Sequence, residues 1–94
     1  MSENRVSVRI PTILRSYTGG AAEVTAAHGS LREVIGDLDV SYPGLAARIL
    51  DDAGRLRRFV NVYVGDEDVR FVAGLDTPVP AGSHVSVIPA VAGG

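Results

Sequence analysis

Residues 30–42, SLREVIGDLDVSY, decide the fold that this sequence predicts. Ser30 is followed three positions later by Glu33, a spacing in which each side chain can bind a free amide of a first helical turn. Pro43 comes directly after the stretch and disfavours helical backbone in the residue before it. The apolar residues between these signals recur at the spacing of one helix face: Leu31, Val34, Ile35 and Leu38. One amphipathic helix is therefore predicted, with one face packed on a sheet.

Segments rich in β-forming residues lie on both sides of the predicted helix. Their apolar and polar residues alternate, as in strands with one buried face, and the predicted strands are residues 5–10, 23–26, 59–64, 69–71 and 84–88. Pro11 ends the first of these strands, and the segment 59–64, FVNVYV, is expected to be a central strand. The remaining predicted elements are a short helical piece at residues 45–50, an acidic turn at 65–68, and a loop at 77–82 that cannot be a central strand.

The order of these elements is two strands, a helix, and then two or three strands. It is typical of an α+β fold of the β-grasp, or ubiquitin-like, type, in which a mixed sheet of four to five strands packs on one main helix. A generic α+β sandwich with two hairpins and one helix fits the same order. We expect residues 1–89 to form the β-grasp domain and residues 90–94 to form a flexible C-terminal tail.

Length, composition and charge limit what the chain can be. Its 94 residues suffice for one domain, and 46% hydrophobic against 21% charged residues indicate a globular core. The formal net charge is −2 at pH 7, so there is no general basic field to hold a nucleic acid. The chain contains neither the pattern of a secretory signal nor the roughly 18 apolar residues of a membrane span. We therefore expect a cytoplasmic protein that binds neither nucleic acid nor membrane.

The residue types present exclude several kinds of chemistry. The chain has no cysteine, which excludes disulfides, thiolate nucleophiles and zinc sites built on sulfur. Its nine basic residues are all arginine, so no lysine side chain is available for Schiff-base chemistry. No serine, histidine and carboxylate set, metal-ligand cluster or phosphate loop has credible spacing. We expect a protein that is not itself an enzyme and that holds no cofactor and no metal.

The C-terminal residues 90–94, AVAGG, form the segment to which the search for chemistry narrows. Five small or slim residues can reach about 17 Å beyond a sheet, and an end without side chains can enter a narrow tunnel. The α-carboxylate of Gly94 is ionised at neutral pH and can attack the α-phosphorus of ATP on a partner enzyme, forming an acyl-adenylate. Sulfide or persulfide can then displace AMP and leave a thiocarboxylate. The alternative is a frayed terminus with no role.

Several segments carry a resemblance to a known family. Residues 82–94, GSHVSVIPAVAGG, resemble the end of MoaD-like and ThiS-like sulfur carriers, whose last strand runs through an apolar pair and a proline into a Gly-Gly end. Residues 10–15, IPTILR, together with 58–64, RFVNVYV, and 66–71, DEDVRF, resemble the actinobacterial carriers of that family that serve cysteine biosynthesis. One departure is Ala81-Gly82-Ser83, because carriers of this family often have Asp-Gly-Asp there.

The resemblance implies partners and a sequence of reactions. An E1-like adenylyltransferase and sulfurtransferase of the MoeB/ThiF type would use ATP to activate Gly94, with Ala92 and Gly93 as the preceding tail residues. A PLP-dependent cysteine synthase would pass the thiocarboxylate sulfur to an aminoacrylate derived from O-phosphoserine. After an S-to-N acyl shift, a JAMM-type zinc peptidase would release cysteine and restore the Gly-Gly end.

Three residues are candidates for partner docking. Ile88 lies out of phase with Val85 and Val87, so it points away from the core beside the tail. Phe59 and Tyr63 are expected on the same outer face, where exposed apolar groups suit a protein contact. The alternative is that these are ordinary exposed apolar residues, which many surfaces contain.

Other functions fit the same sequence. The tail chemistry also suits a carrier for molybdopterin, thiamine or a sulfur-containing secondary metabolite. A ubiquitin-like protein modifier that joins lysines of its targets is a further alternative, and so is a structural β-grasp module with an inert tail. The predicted function is a sulfur carrier for cysteine biosynthesis, with Gly94 as the residue that bears the thiocarboxylate.

Overall fold

The computed structural model describes residues 5–89 and combines a five-stranded mixed sheet with one main helix. In chain order the elements are β1 (Arg5–Arg9), β2 (Glu23–Ala27), β3 (Gly29–Ser30), α1 (Leu31–Ser41), α2 (Ala46–Ile49), β4 (Val60–Val64), β5 (Glu67–Asp68), β6 (Pro78–Val79) and β7 (His84–Pro89). Short 3₁₀ segments span Thr12–Thr18, Val69–Phe71 and Gly74–Asp76. The predicted tail, residues 90–94, lies outside the described residues.

The order of strands in the main sheet is β2-β1-β7-β4-β5. The first and last long strands, β1 and β7, pair in parallel, whereas the β1–β2, β4–β7 and β4–β5 pairs are antiparallel. A parallel pair at the centre with antiparallel neighbours and one crossing helix is the β-grasp, ubiquitin-like arrangement. The predicted fold class is therefore confirmed, and the generic sandwich is excluded. β3 and β6 form a separate two-stranded sheet.

The main helix begins where the capping signals predict. Ser30 Oγ accepts a hydrogen bond from the N–H of Glu33 at 3.2 Å, and Glu33 Oε1 accepts one from the N–H of Ser30 at 2.8 Å. Its four predicted apolar residues are buried and pack with alternate residues of the sheet. The fully or nearly fully buried sheet residues in this core are Val6, Val8, Val24, Ala26, Val60, Val62, Val85 and Val87.

The predicted strand 59–64 is confirmed as an interior strand, but it begins one residue later than predicted. Phe59 lies before β4, because the N–H of Val60 donates to the Arg57 carbonyl at 3.1 Å and closes a turn around it. β4 lies between β7 and β5, so it is an interior strand as predicted, and β7 is the middle strand of the five. The C-terminal strand therefore has hydrogen-bonded neighbours on both sides.

The predicted return strand 69–71 is wrong. The carboxylate of Asp68 accepts a hydrogen bond from the N–H of Arg70 at 2.9 Å and caps a 3₁₀ turn there. The strand that does pair with β4 is Glu67–Asp68, which the sequence assigns to the acidic turn. In the predicted loop 77–82, Pro78–Val79 pairs with β3 outside the main sheet, as a segment containing two prolines permits.

Candidate functional site

The last strand holds the described residues that are nearest to the Gly-Gly end of the sequence. β7 ends at Pro89, which pairs with Val60, and five residues follow it to Gly94. β1 pairs with residues 84–86 of β7 and β4 pairs with residues 85–89, so the β4 pairing fixes the end of β7 relative to the core. Ala92, Gly93 and Gly94 themselves lie outside the described residues.

Two cavities border the end of β7. The first, which we term the Ile88 cavity, has a volume of about 310 Å³ and is lined by Arg9, Arg15 and Ile88 among others. The second, the Phe59 cavity, has a volume of about 260 Å³ and is lined by Ile13, Arg48, Arg57 and Phe59 among others. Pro11, Val87 and Pro89 line both cavities. A segment that continues from Pro89 therefore starts between two concave surfaces.

The three predicted docking residues are arranged around this strand in two groups. Ile88 is 47% exposed and lies opposite Asn61, whereas Tyr63 lies opposite Ser86, so Ile88 and Tyr63 share the outer face of the sheet. Phe59 is 51% exposed and lines the Phe59 cavity, which neither Ile88 nor Tyr63 lines. The structure thus brings Ile88 and Phe59 to the same end of the sheet, on different sides of Pro89.

One exposed apolar residue at this end was missed by the sequence reasoning. Ile13 is 69% exposed and lines the Phe59 cavity together with Phe59. It belongs to the 3₁₀ segment that follows β1, where period-2 alternation no longer applies. The sequence does contain the apolar pair Ile13-Leu14, which could have indicated an apolar residue here. Only Leu14 of this pair is buried.

Arg70 holds the turn that carries Phe59. Its guanidinium donates hydrogen bonds to the carbonyl oxygens of Arg57 at 2.6 Å, Arg58 at 3.3 Å and Val60 at 2.7 Å. It also donates to the side-chain oxygen of Asn61. A planar guanidinium can donate to several acceptors at once from fixed directions. A lysine ammonium has fewer donors, and their directions are not fixed. Arg70 therefore fixes the backbone on both sides of Phe59.

Asp51 holds the loop that leads to this turn. The N–H of Arg55 donates to its carboxylate at 3.0 Å and the N–H of Ala53 at 2.9 Å. The hydrogen bond from Arg55, with that from Ala53 and the charges of Arg55 and Arg57, holds the pKa of Asp51 below its usual range, although desolvation opposes them. The loop between α2 and β4 is thus stabilised by an ionised carboxylate.

Three further observations concern metal sites, buried polar groups and membrane-spanning helices among the described residues. Within residues 5–89, no group of three histidine, cysteine, aspartate or glutamate side chains is placed to hold a metal ion. Every buried side-chain nitrogen or oxygen in that range has a hydrogen-bond partner. No helix in the same part of the chain is long and apolar enough to cross a membrane.

The departure from the Asp-Gly-Asp pattern lies far from the cavities. Ala81-Gly82-Ser83 forms the turn before β7, where the N–H of Ser83 donates to the Pro80 carbonyl at 3.1 Å. Gly82 has a φ of +86°, a conformation that glycine adopts without strain. This turn is at the opposite end of β7 from Pro89, so the departure leaves the surface beside the tail unchanged.

Comparison with known proteins gives the family of this chain. The family model described as "ThiS family" matches residues 8–94. The sulfur carrier protein CysO of Mycobacterium tuberculosis is 52% identical over 91 residues, which cover 95% of this chain and 98% of that protein.

Solved structures agree with this match. The crystal structure of Mycobacterium tuberculosis CysO has a TM-score of 0.88 at 50% identity, covering 92% of this chain and 99% of that one. A chain in the crystal structure of the Amycolatopsis orientalis BexX/CysO complex has a TM-score of 0.89 at 47% identity, covering 95% of this chain and 99% of that one. Sequence and fold therefore give one answer: the chain belongs to the ThiS family of ubiquitin-like β-grasp proteins.

Proposed function

We propose that this protein is a sulfur carrier and that Gly94 bears the sulfur as a thiocarboxylate. The observation that carries the proposal is that the family match extends through Gly94, while a protein named as a sulfur carrier matches 95% of the chain. The geometry supports it, because β7 is bonded on both sides and ends at Pro89, five residues before Gly94. An extended segment of five residues reaches about 17 Å, enough to enter a partner's active site while the domain stays outside.

Activation begins at the α-carboxylate of Gly94. One carboxylate oxygen attacks the α-phosphorus of ATP on an E1-like adenylyltransferase of the MoeB/ThiF type, and the bond to pyrophosphate breaks. Sulfide then attacks the acyl carbon, and AMP leaves with the electron pair of the carbon–oxygen bond. Glycine has no side chain to hinder this attack. Because the chain contains no cysteine, the transferred sulfur has to come from outside it.

The proposed acceptor is an amino acid precursor bound to a PLP-dependent cysteine synthase. The thiocarboxylate sulfur attacks the β-carbon of an aminoacrylate formed from O-phosphoserine, and an S-to-N acyl shift leaves cysteine joined through an amide to Gly94. A JAMM-type zinc peptidase hydrolyses this amide and restores the Gly-Gly end. The likeness to CysO over nearly the whole chain supports this acceptor, because it includes regions outside the tail.

Docking of the activating enzyme is proposed at the end of β7. Ile88, Phe59 and Ile13 are all exposed there and line the two cavities beside Pro89. Tyr63 extends the same surface along the outer face of β4. An apolar centre of this kind is typical of protein contacts, where a few well-packed side chains supply most of the binding free energy.

Intact-mass analysis tests the carrier proposal. The protein is incubated with ATP, a cognate activating enzyme and sulfide, and its mass should rise by the difference between one sulfur and one oxygen atom. A variant that lacks Gly93-Gly94 should gain nothing, and fragmentation should locate the sulfur on Gly94. Sulfur found on an internal residue, or heavier conjugates on target lysines in the host, would contradict a carrier role.

A second assay tests the acceptor. Thiocarboxylated protein is mixed with a PLP-dependent cysteine synthase and O-phosphoserine, and a cysteine adduct at the C-terminus is measured against the product formed from free sulfide. The carrier should outcompete free sulfide at equal low concentration, since docking raises the effective concentration of sulfur at the acceptor. Transfer to a pterin, thiazole or other precursor, without any cysteine adduct, would replace this acceptor with another.

A further inference from the structure

The two cavities beside Pro89 concentrate one sign of charge. Arg9 and Arg15 line the Ile88 cavity, and Arg48 and Arg57 line the Phe59 cavity. Of residues 5–89, no aspartate or glutamate lines either cavity, although the chain has 11 acidic residues against nine basic ones. Four of the nine arginines therefore lie around Pro89, the residue before the predicted tail, which we term the base of the tail. The net charge of the whole protein is nevertheless −2.

None of these four arginines forms an ion pair within residues 5–89, although the charge of Arg57 acts on the nearby carboxylate of Asp51. Nε of Arg15 donates to the Ile10 carbonyl at 3.0 Å and Nε of Arg57 to the Ala47 carbonyl at 2.9 Å, and both acceptors are uncharged. Glu23 lies opposite Arg9 in the β1–β2 register, but the one ion pair within residues 5–89 joins Arg32 to Asp76.

An acidic turn lies at the other end of β7. The segment Asp66–Asp68 follows β4 directly, and Gly65 in the same turn donates its N–H to the carbonyl of His84 at 2.8 Å. His84 begins β7 and Pro89 ends it, so the acidic turn and the base of the tail are about 17 Å apart at the usual rise per strand residue. The arginine-lined cavities and this acidic turn thus lie at opposite ends of β7.

We infer that the activating enzyme receives this end of the domain on an acidic surface, with carboxylates around an apolar contact for Ile88 and Phe59. The inference rests on the proposed function. A tail carboxylate that approaches the triphosphate of ATP is repelled by it, and an attraction elsewhere on the carrier offsets that repulsion. Arginines on both sides of Pro89 supply that attraction, and the distant acidic turn orients the domain with its tail toward the partner.

Three other occupants of the arginine-lined surface lead to different results. If the tail carboxylate folded back onto these arginines, neutralising them would free the tail and speed activation. If a second copy docked there, the wild-type protein would form dimers that the variant does not. If the arginines held a phosphate of ATP, their loss would raise the KM for ATP instead of the KM for the carrier.

The test compares two double variants with the same change in net charge. Arg9→Gln with Arg48→Gln removes one charge from each cavity, and neither side chain has a hydrogen bond to any residue of 5–89 in the structure. Arg5→Gln with Arg32→Gln removes two exposed arginines that bond to Thr25 and Asp76 and line neither cavity. Formation of adenylate or thiocarboxylate is measured against carrier concentration, at low ionic strength and at about 0.5 M salt.

The cavity variant should lose about five- to tenfold in kcat/KM at low ionic strength, through the KM for the carrier, while the control stays within about twofold. At the higher salt concentration the difference in kcat/KM between the cavity variant and the control should disappear, because the Debye length falls to about 4 Å. The inference is overturned if both variants lose kcat/KM equally, if the loss is confined to kcat, or if salt has no effect on it. Any of the three alternative results also overturns it. Failure of the wild-type protein to be activated overturns the proposed function, and this inference with it.

Discussion

Replacing Ile88 by Asp separates docking from folding, because this side chain is only half buried. Ile88 is 47% exposed and lines the Ile88 cavity. The change places a carboxylate on the surface proposed to meet the activating enzyme. It leaves the buried neighbours Val85 and Val87 in place.

The magnitude follows from the exposed fraction. Full burial of an isoleucine side chain contributes about 1.5–3 kcal/mol, so the covered half contributes about 1 kcal/mol to folding. A domain of this size has about 5–15 kcal/mol of stability and tolerates that loss. The exposed half is worth a further ~1 kcal/mol on docking, and the desolvated carboxylate brings the total cost to about 1–3 kcal/mol. The corresponding loss in kcat/KM is about 5- to 150-fold.

Initial rates of adenylation measure this effect, and circular dichroism measures the stability of the same sample. Ile88→Ala removes the apolar contact without a charge and should lose about fivefold in kcat/KM. Val40→Asp is the control, because Val40 is 81% exposed at the end of α1 and lines neither cavity. It should be activated at the wild-type rate. A folded Ile88→Asp variant with wild-type activation would show that this residue does not dock, and equal losses in the control would point to charge alone.

Three further predictions concern the tail, the helix cap and acid stability. Deleting Gly93-Gly94 should change the unfolding free energy by no more than a few tenths of a kcal/mol and abolish adenylation, and a larger loss of stability would show that the tail is packed. Ser30→Ala removes the capping box and should cost about 1 kcal/mol, or about 4–8 °C in Tm, whereas Ser41→Ala should change little. Because the pKa of Asp51 is lowered in the folded protein, its stabilising effect is present above the unfolded pKa of about 3.8 and is lost as pH falls through the folded value. The difference in unfolding free energy between wild type and Asp51→Ala should therefore become smaller on acidification, measured by denaturant titrations from neutral to acidic pH.

Local signals predicted the elements that a short stretch of sequence is enough to specify. The alternation of residues 5–10 and the capping box at Ser30 depend on neighbours within a few positions, and both are confirmed. The segment 69–71 has the same apolar character as a strand, but the Asp68 side chain competes for the Arg70 amide and produces a turn instead. Alternation does not reveal such a competition, because it reports only which side chains are apolar.

The surface beside the tail was only partly predictable, because its two halves depend on different kinds of contact. Ile88 faces outward because residues alternate between the two faces of β7, and this alternation is visible in the sequence. Phe59 is placed by Arg70, whose guanidinium bonds to atoms of residues 57–61, nine to thirteen positions earlier in the chain.

In the sequence alone, Arg70 is indistinguishable from the other arginines, and residues 59–64 form one unbroken β pattern. The guanidinium occupies the carbonyls of Arg57, Arg58 and Val60, which a longer β4 would otherwise offer to a neighbouring strand. The strand therefore begins one residue late, and Phe59 turns toward Ile13 and the second cavity rather than following Tyr63 along the outer face. A contact that shortens a strand thus gives the end of β7 exposed apolar groups on both of its sides.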